Sequence, residues 1–239
     1  MSKALVIVPT YNEADNIINI IESVLSLSLD FNILIVDDNS PDGTGFLVQS
    51  FALKNSKKVF LLSRDNKDGL GKAYTDGFNW ALKNNYNYIF EMDADFSHDP
   101  KELAPMLEKL KINTDLVVGS RYVNGVNVVN WPMSRILLSY FASKYVQLIT
   151  SMPIKDATAG FVGYRRAVLE SISMDEVKFV GYAFQIELKY KAWIKKFKLE
   201  EHPIIFTNRI LGKSKMSSNI IWEALYGVLF LRLNKNRFK

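Results

Sequence analysis

Five short apolar runs, rich in β-branched residues, divide the first half of this 239-residue chain. They are ALVIV (4–8), NILIVD (32–37), KVFLL (58–62), YIFEMD (88–93) and DLVVG (115–119). Stretches with helical spacing lie between them, including one with Ile17, Ile21 and Leu25 and another from Lys72 to Lys83. Because alternating strands and helices build parallel sheets, the pattern predicts an α/β fold with a mostly parallel central sheet and helices on both faces.

A polar cluster directly follows four of these five runs. The clusters are Pro9-Thr10-Tyr11-Asn12-Glu13, Asp37-Asp38-Asn39-Ser40, Asp93-Ala94-Asp95 and Ser120-Arg121-Tyr122. Ligands of open α/β sheets bind beyond the carboxyl ends of the strands, so we expect the four clusters to form one site at the sheet rim. Asp99 is an exception, because its position before Pro100 predicts a helix N-cap.

Asp93 and Asp95 are separated by one residue at the end of a predicted strand. Two such carboxylates can hold a hard divalent cation that also bridges phosphates, which favours a nucleotide diphosphate as ligand. A Walker-type phosphate loop is excluded, because DGLGKAYTDG lacks the first glycine at the required spacing and has Ala73 in place of serine or threonine. His98 and His202 form no evident metal-binding pair.

Charge and cysteine content limit the cellular location and the kinds of surface that the chain could bind. The chain has no cysteine, which excludes disulfides and thiolate metal sites and favours a cytoplasmic location. The apolar run at the N-terminus is too short for a signal peptide. From Lys189 onward, twelve lysine or arginine residues stand against three acidic ones. Such a basic end suits an anionic surface, either membrane or nucleic acid, although a solvated basic face is an equally open interpretation.

Two apolar segments have the character of interface helices. Residues 134–152 place Arg135, Ser139, Ser143 and Gln147 on one narrow stripe, with apolar residues elsewhere. Such a wide apolar arc with charges inside it predicts a helix lying in a membrane interface rather than spanning it. Residues 217–239 show a similar pattern, an apolar part followed by a basic end, and predict an amphipathic tail helix. We place this helix after a catalytic domain at residues 1–216. Both segments could instead pack as ordinary core.

The order of motifs is more specific than any one of them. The motifs VPTYNE, VDDNSPDGT, GLGKAYTDG, MDADFSHDP, GSRY, NWPMSR and DATAGFVGYRR occur between Ala4 and about Met216. This order resembles the glycosyltransferase family 2 enzymes of GT-A fold, and within them the polyprenyl-phosphate (dolichyl-phosphate) mannosyltransferases. The resemblance implies metal-dependent, inverting transfer of mannose from GDP-mannose to a polyprenyl or dolichyl monophosphate, giving a β-mannosyl phosphate. A phosphate monoester is largely anionic at neutral pH and needs no general base.

The same resemblance implies roles for individual residues. For the nucleotide pocket, it indicates Pro9, Tyr11, Glu13, Val36 and Asp38. For the donor diphosphate, it indicates Asp93, Ala94, Asp95, Arg121, Arg209 and Lys215. The expected ligands of Mg²⁺ or Mn²⁺ are Asp93 and Asp95, with Ser97 as a weaker third, and the expected acceptor-phosphate residues are Arg121, Arg135 and Ser139. The predicted catalytic residues are Asp95, Arg121 and Arg135. Ala183 stands where some relatives have lysine, so that donor contact is expected to be missing.

The partners implied are GDP-mannose, polyprenyl phosphate, the inner face of a membrane with peripheral attachment, and a separate membrane-anchoring subunit, with no nucleic acid. Two alternatives stay open. One is the same class of enzyme with another donor, such as UDP-glucose, because motifs do not report the shape of the base and sugar pocket. The other is a sugar-nucleotide-binding membrane scaffold without turnover, which the presence of both donor and acceptor residues disfavours.

Overall fold

The computed structural model describes residues 3–208 and 218–238. Its strands are β1 (Ala4–Thr10), β2 (Phe31–Asp37), β3 (Val59–Ser63), β4 (Tyr88–Glu91), β5 (Leu116–Ser120), β6 (Val128–Val129), β7 (Val162–Arg165), β8 (Leu199–Pro203) and β9 (Phe206–Thr207). Seven of them form one sheet in the order β3-β2-β1-β4-β7-β5-β8, and β6 pairs with β9 in a small parallel ladder. All five strands predicted from the sequence are present, with ends shifted by one or two residues.

The sheet is mostly parallel, as predicted, with one reversal. β1 pairs in parallel with β2 and β4, and β5 pairs in parallel with β8. β7 lies between β4 and β5 and is antiparallel to both. The carboxyl ends of β1, β2, β4 and β5 therefore point to the same rim, while β7 begins there.

The helices are α1 (Ile17–Leu25), α2 (Thr44–Lys54), α3 (Leu70–Lys83), α4 (Leu103–Ile112), α5 (Met133–Thr150), α6 (Arg166–Ser171), α7 (Tyr182–Ile194) and α8 (Ser218–Leu233). Short 3₁₀ turns occupy Pro100–Glu102, Met174–Glu176 and Lys235–Phe238. The side chain of Asp99 accepts a hydrogen bond from the Lys101 N–H (3.0 Å), which confirms its predicted role as an N-cap.

Both faces of the sheet are covered, which explains why its strands are continuously apolar. Leu5 and Ile7 of β1 pack with Tyr74 and Phe78 of α3 in one core layer. The alternate residues of β1, including Val6, pack with helices α1 and α4 in the other layer. Strand residues alternate between the two faces of the sheet, so a strand that is buried on both faces is apolar at consecutive positions.

Helix α5 is turned with its polar stripe toward the protein. Ser143 is buried, and the amide of Gln147 donates to the carbonyl of Ile154 (2.8 Å). Several of its apolar residues point outward, with exposed fractions of 67% for Met133, 62% for Phe141 and 81% for Leu148, while Val146 is buried in the core. This arrangement is the reverse of a helix that covers a soluble core.

Helix α8 packs on α5 and α7, and its inner side joins the main core. Val228 and Leu231 are buried in the larger cluster, while Tyr226, Leu229 and Leu233 are exposed. The phenol of Tyr145 on α5 donates to the carbonyl of Leu225 (3.1 Å), so the two exposed apolar rows lie on adjacent helices. The division of the chain at residue 216 stays a prediction. Within the described ranges 3–208 and 218–238, no helix has the length and apolar character needed to cross a membrane.

Candidate active site

The loops after β1 and β2 are tied together at the rim. The N–H of Asn12 donates to the hydroxyl of Ser40 (3.0 Å), and the N–H of Glu13 donates to the hydroxyl of Thr44 (3.0 Å). Asn12 and Asn39 have left-handed backbones, with φ of 60° and 54°. Asparagine adopts this conformation more readily than most residues, so the loops can turn sharply where the strands end.

The adjacent acids Asp37 and Asp38 have different partners. Asp37 accepts hydrogen bonds from the hydroxyls of Thr10 (2.9 Å) and Ser40 (2.6 Å), so it holds the two rim loops together. Asp38 forms an ion pair with Arg64, with 2.6 Å between Oδ1 and Nη1. Burial raises the pKa of Asp38, and the nearby guanidinium of Arg64 opposes that rise.

Arg64, at the end of β3, is a site residue that the sequence analysis missed. Besides Asp38 it pairs with Asp76 on α3 (2.9 Å) and with Asp68 (3.5 Å), and its side chain is only 8% exposed. One guanidinium therefore ties the predicted nucleotide pocket to helix α3. A lone arginine in SRDNKDG matches no short motif, so only its position after a predicted strand could have signalled it.

The remaining residues predicted for the nucleotide pocket surround these loops. Pro9, Tyr11 and Glu13 are partly exposed at the rim, and the ammonium of Lys67 lies 3.9 Å from the centre of the Tyr11 ring. Val36 differs from them, because its side chain is fully buried in the core layer beneath α3.

Asp93 and Asp95 lie just past the end of β4. The side chain of Asp93 is 40% exposed, and Asp95 Oδ1 accepts a hydrogen bond from the N–H of Ser97 (3.0 Å). Phe96 has a left-handed backbone with φ of 58°, which is unusual for an aromatic residue and marks a constrained turn. Ala94 and Ser97 are buried. In the part of the chain that the structure describes, no group of three or more acidic or histidine side chains is arranged to hold a metal ion.

The buried ring of His98 contacts this turn. Its ring stacks on Phe161, with 4.9 Å between ring centres, and its Nδ1 accepts a hydrogen bond from the N–H of Asp93 (3.2 Å). Burial lowers the pKa of His98, which fits a neutral ring with an acceptor nitrogen at this position. The histidine is thus a buried support for the acidic turn.

Arg121, directly after β5, is buried and forms an ion pair with Asp156. Asp156 is the second candidate site residue that the sequence analysis missed. The Nε and Nη2 of Arg121 donate to the two oxygens of Asp156 at 2.7 Å and 2.6 Å, and Nη2 also donates to the Thr158 hydroxyl (3.0 Å). A bidentate pair of this kind fixes the plane of the guanidinium. Asp156 and Thr158 belong to the DATAG motif, whose ionic role only the folded arrangement reveals.

Arg135, in the first turn of α5, lies over an aromatic ring. Its guanidinium is 3.9 Å from the centre of Trp131, and its Nη1 donates to Asn208 (3.0 Å). The Ser139 hydroxyl, one turn further along α5, lies beside the phenol of Tyr122. Burial raises the pKa of Tyr122, and the charge of Arg121 opposes that rise.

An aromatic cluster joins the acidic turn to the two arginines. Phe206 contacts the ring of His98 on one side (5.3 Å) and the ring of Trp131 on the other (5.2 Å). The guanidinium of Arg121 lies within 5.7 Å of both Phe206 and Trp131. The rim therefore brings together the carboxylates of Asp93 and Asp95 and the guanidinium groups of Arg121 and Arg135, which lie far apart in the sequence.

Three other predicted positions need separate mention. Arg209 and Lys215 lie outside the described residues. Ala183 is fully buried, and its methyl group packs beneath Gly227 of α8.

The fold and this rim together define a class of protein. The model of the glycosyl transferase family 2 domain matches residues 5–173, and the chain belongs to this family. The protein is therefore a glycosyltransferase with the α/β architecture described above.

Two relatives resemble it over most of their length. A polyprenol monophosphomannose synthase from Mycolicibacterium smegmatis is 46% identical over 95% of this chain and 85% of its own. An undecaprenyl-phosphate mannosyltransferase from Micrococcus luteus is 39% identical over 95% of this chain and 92% of its own.

A solved structure shares the fold at low sequence identity. It is a glucosyl-3-phosphoglycerate synthase from Mycobacterium tuberculosis, in complex with Mn²⁺, UDP and glucosyl-3-phosphoglycerate. The similarity has a TM-score of 0.65 at 15% identity and covers 98% of this chain and 79% of the other. At that identity the likeness shows the GT-A fold alone.

Proposed function

We propose that this protein transfers mannose from GDP-mannose to a polyprenyl monophosphate, with inversion at the anomeric carbon. The observation that carries this proposal is the joining of two carboxylates and two arginines at one rim through Phe206 and Trp131. A donor diphosphate with its metal needs the first pair, and an anionic acceptor needs the second. The names of the two relatives, one a polyprenol monophosphomannose synthase and the other an undecaprenyl-phosphate mannosyltransferase, support the same assignment.

The donor set at Asp93 and Asp95 fits a divalent metal. Two carboxylates at a partly exposed turn suit an ion that keeps other oxygen ligands from water and diphosphate. Mg²⁺ or Mn²⁺ held there would stabilise the negative charge that develops on the departing GDP. Asp95 is the main ligand in this proposal. The Ser97 hydroxyl is a weak candidate, because its residue is buried.

On the acceptor side the residues bind and orient. Arg121 and Arg135 present planar donors suited to phosphate oxygens, and the hydroxyl of Ser139 lies on the same inner stripe of α5. The acceptor is already anionic at neutral pH, so its attack on the anomeric carbon needs orientation rather than proton removal. Arg209 and Lys215 remain proposed donor-phosphate residues from the sequence alone.

The outward apolar face of α5 and α8 supports membrane attachment. Leu137, Phe141, Leu229 and Leu233 are all exposed on two adjacent helices, and the chain end nearby is basic. Exposed apolar rows next to cationic residues suit the interface of an anionic membrane, where a polyprenyl chain would be embedded. We propose a peripheral enzyme at the cytoplasmic face, in which α5 brings Arg135 to the lipid surface. A separate anchoring subunit is a further partner to test.

The test is a transfer assay with purified protein, undecaprenyl phosphate and a panel of radiolabelled sugar nucleotides, with Mg²⁺, Mn²⁺ or EDTA. We expect label in the lipid fraction from GDP-mannose only, and only with a divalent ion. Transfer from UDP-glucose but not GDP-mannose would replace the proposed donor. Binding of sugar nucleotide without transfer to any acceptor would support the scaffold alternative.

A further inference from the structure

A lysine in the core of the molecule has no role in the site described above. Lys189 on α7 is fully buried. Its ammonium donates to the carbonyls of Ala159 (2.7 Å), Gln185 (3.1 Å) and Ala157 (3.2 Å). These three bonds go to backbone oxygens, two of them in the same turn, and a longer fourth bond goes to the side-chain oxygen of Gln185 (3.5 Å).

Such a lysine is costly to keep in a core. Burial removes the ammonium group from water and lowers the pKa of Lys189, and the nearby carboxylate of Glu91 opposes that fall. The carboxylate of Glu91 in the same core accepts hydrogen bonds from the amide of Gln185 (2.6 Å) and the phenol of Tyr164 (3.3 Å). The charge of Glu91 does not account for the hydrogen bonds from Lys189 to the backbone carbonyls, which call for an explanation.

The turn that Lys189 binds is the one that holds Arg121. Residues 156–159 pass between α7 and the end of β5. On the side facing the rim, Asp156 and Thr158 bind the Arg121 guanidinium at distances from 2.6 to 3.0 Å. On the opposite side, the carbonyls of Ala157 and Ala159 bind Lys189. Adjacent residues of one turn thus alternate between the arginine and the lysine.

We propose that Lys189 is a positioning residue for the acceptor phosphate. By holding the carbonyls of Ala157 and Ala159, it fixes the turn from which Asp156 and Thr158 set the plane of the Arg121 guanidinium. This inference rests on the proposed role of Arg121 in binding the acceptor phosphate rather than the donor diphosphate. A guanidinium that is bound on two sides presents its donors in one orientation, and a misplacement of about 1 Å at such a group can cost roughly 100-fold in rate.

The test compares Lys189→Met with Lys191→Met. Methionine keeps the length and apolar volume of lysine but removes its three N–H donors. Lys191 lies on the same helix and is also buried, but its ammonium binds Glu187 (2.8 Å) and the carbonyl of Glu176 (3.1 Å), away from the 156–159 turn. We expect Lys189→Met to raise the KM for undecaprenyl phosphate about tenfold or more, with Mn²⁺–GDP affinity within about twofold of wild type. Lys191→Met should lose stability without changing the acceptor KM.

Several outcomes would overturn the inference. A folded Lys189→Met enzyme with the wild-type acceptor KM would do so, and so would one whose GDP affinity falls as far as its acceptor affinity. If Lys189→Met does not fold, Thr158→Val tests the other side of the turn. Thr158 is partly exposed and contacts Arg121 directly, so this variant should fold and raise the acceptor KM. An unchanged KM in Thr158→Val would reject the positioning of Arg121 by the turn.

Failure of the proposed function is measured separately. Wild-type transfer from GDP-mannose tests the function, and binding of citronellyl phosphate, a soluble isoprenyl phosphate, reports the acceptor site without turnover. If wild type binds citronellyl phosphate but transfers no mannose, the function fails and the Lys189 comparison continues on binding affinity. A wild-type protein that neither transfers mannose nor binds citronellyl phosphate overturns both.

Discussion

Buried arginines organise both sides of the rim. Arg64 forms ion pairs with Asp38 and Asp76 on the proposed donor side, and Arg121 forms an ion pair with Asp156 on the proposed acceptor side. Each guanidinium links its own loop to another segment of the chain and so restrains the two relative to each other. Arginine suits this role because its planar guanidinium can donate hydrogen bonds to several oxygens at fixed angles.

Asp95→Asn is the sharpest change at the acidic turn. Asparagine keeps an oxygen to accept the Ser97 N–H but loses the negative charge that a divalent cation needs. We expect turnover to fall by about 100-fold or more and Mn²⁺-dependent GDP binding, measured by calorimetry, to weaken. Asp99→Asn is the matched control, because asparagine also caps helices and should preserve activity. Wild-type turnover in Asp95→Asn would mean that the turn holds no metal.

Arg64→Met tests the ion-pair network of the proposed donor side. Removing one partner of a buried ion pair leaves uncompensated charge, so we expect a loss of about 3–5 kcal/mol in the free energy of unfolding. The KM for GDP-mannose should rise more than the acceptor KM, because Asp38 borders the proposed nucleotide pocket. The control is Lys58→Met, whose side chain is 48% exposed and whose partner Asp30 is 75% exposed, so the loss of this pair should cost little. Equal stability of the two variants in urea titrations would contradict the network.

Sequence reasoning named candidate residues that belong to short motifs and missed candidate residues that act through folded contacts. Asp93, Asp95, Arg121 and Arg135 were named because their motifs follow strand ends or match a family. Arg64 and Asp156 were not, because their importance comes from partners more than 25 residues away. Local spacing carries no information about such pairs.

At the scale of the element, the apolar pattern of the sequence predicts β1 to β5 but not β7 or β8. The strands β1 to β5 were predicted because burial on both faces makes them continuous apolar runs. β7 reads VGYR, with a glycine and an arginine in four residues, and β8 reads LEEHP, a polar edge strand. Both owe their conformation to pairing with β5 rather than to their own composition.

Gly163 allows β7 to sit between its neighbours. A Cβ atom added there would lie 2.5 Å from Cε1 of Phe90 and 3.0 Å from Cγ1 of Val117. We expect Gly163→Ala to reduce the free energy of unfolding by about 1–3 kcal/mol through overpacking. Gly160→Ala is the control, since its added Cβ would meet nothing nearer than 4.0 Å. Urea titration compares the two, and equal midpoints would show that the core yields at Phe90.

At the scale of the whole molecule, the outward faces of α5 and α8 form an apolar surface. The polar stripe predicted on α5 is present, but it faces inward. Arg135 and Gln147 of that stripe bond to other parts of the protein. The periodicity of a helix gives the width of its faces, whereas their direction depends on which one the rest of the chain satisfies.

Leu137→Gln combined with Phe141→Gln tests the apolar side. Burying such side chains in a bilayer interface contributes about 1.5–3 kcal/mol each, so we expect binding to anionic vesicles to fall at least tenfold in flotation assays. Phe46→Gln combined with Leu53→Gln is the control, because these residues are 73% and 80% exposed on α2. Wild-type flotation of the α5 variant, or equal loss in the control, would reject this face as the membrane contact.

The reversed strand β7 also has a consequence for the growing chain. When β4 at Tyr88–Glu91 is made, its partner β1 already exists, but its other partner is Val162–Arg165, more than 70 residues later. Until those residues leave the ribosome, β4 presents an unpaired apolar edge, which is the kind of surface that recruits other strands. A chain stopped within α5 would carry this edge permanently. We therefore expect nascent or truncated forms that end before residue 162 to depend on chaperones, although they already contain Asp93 and Asp95.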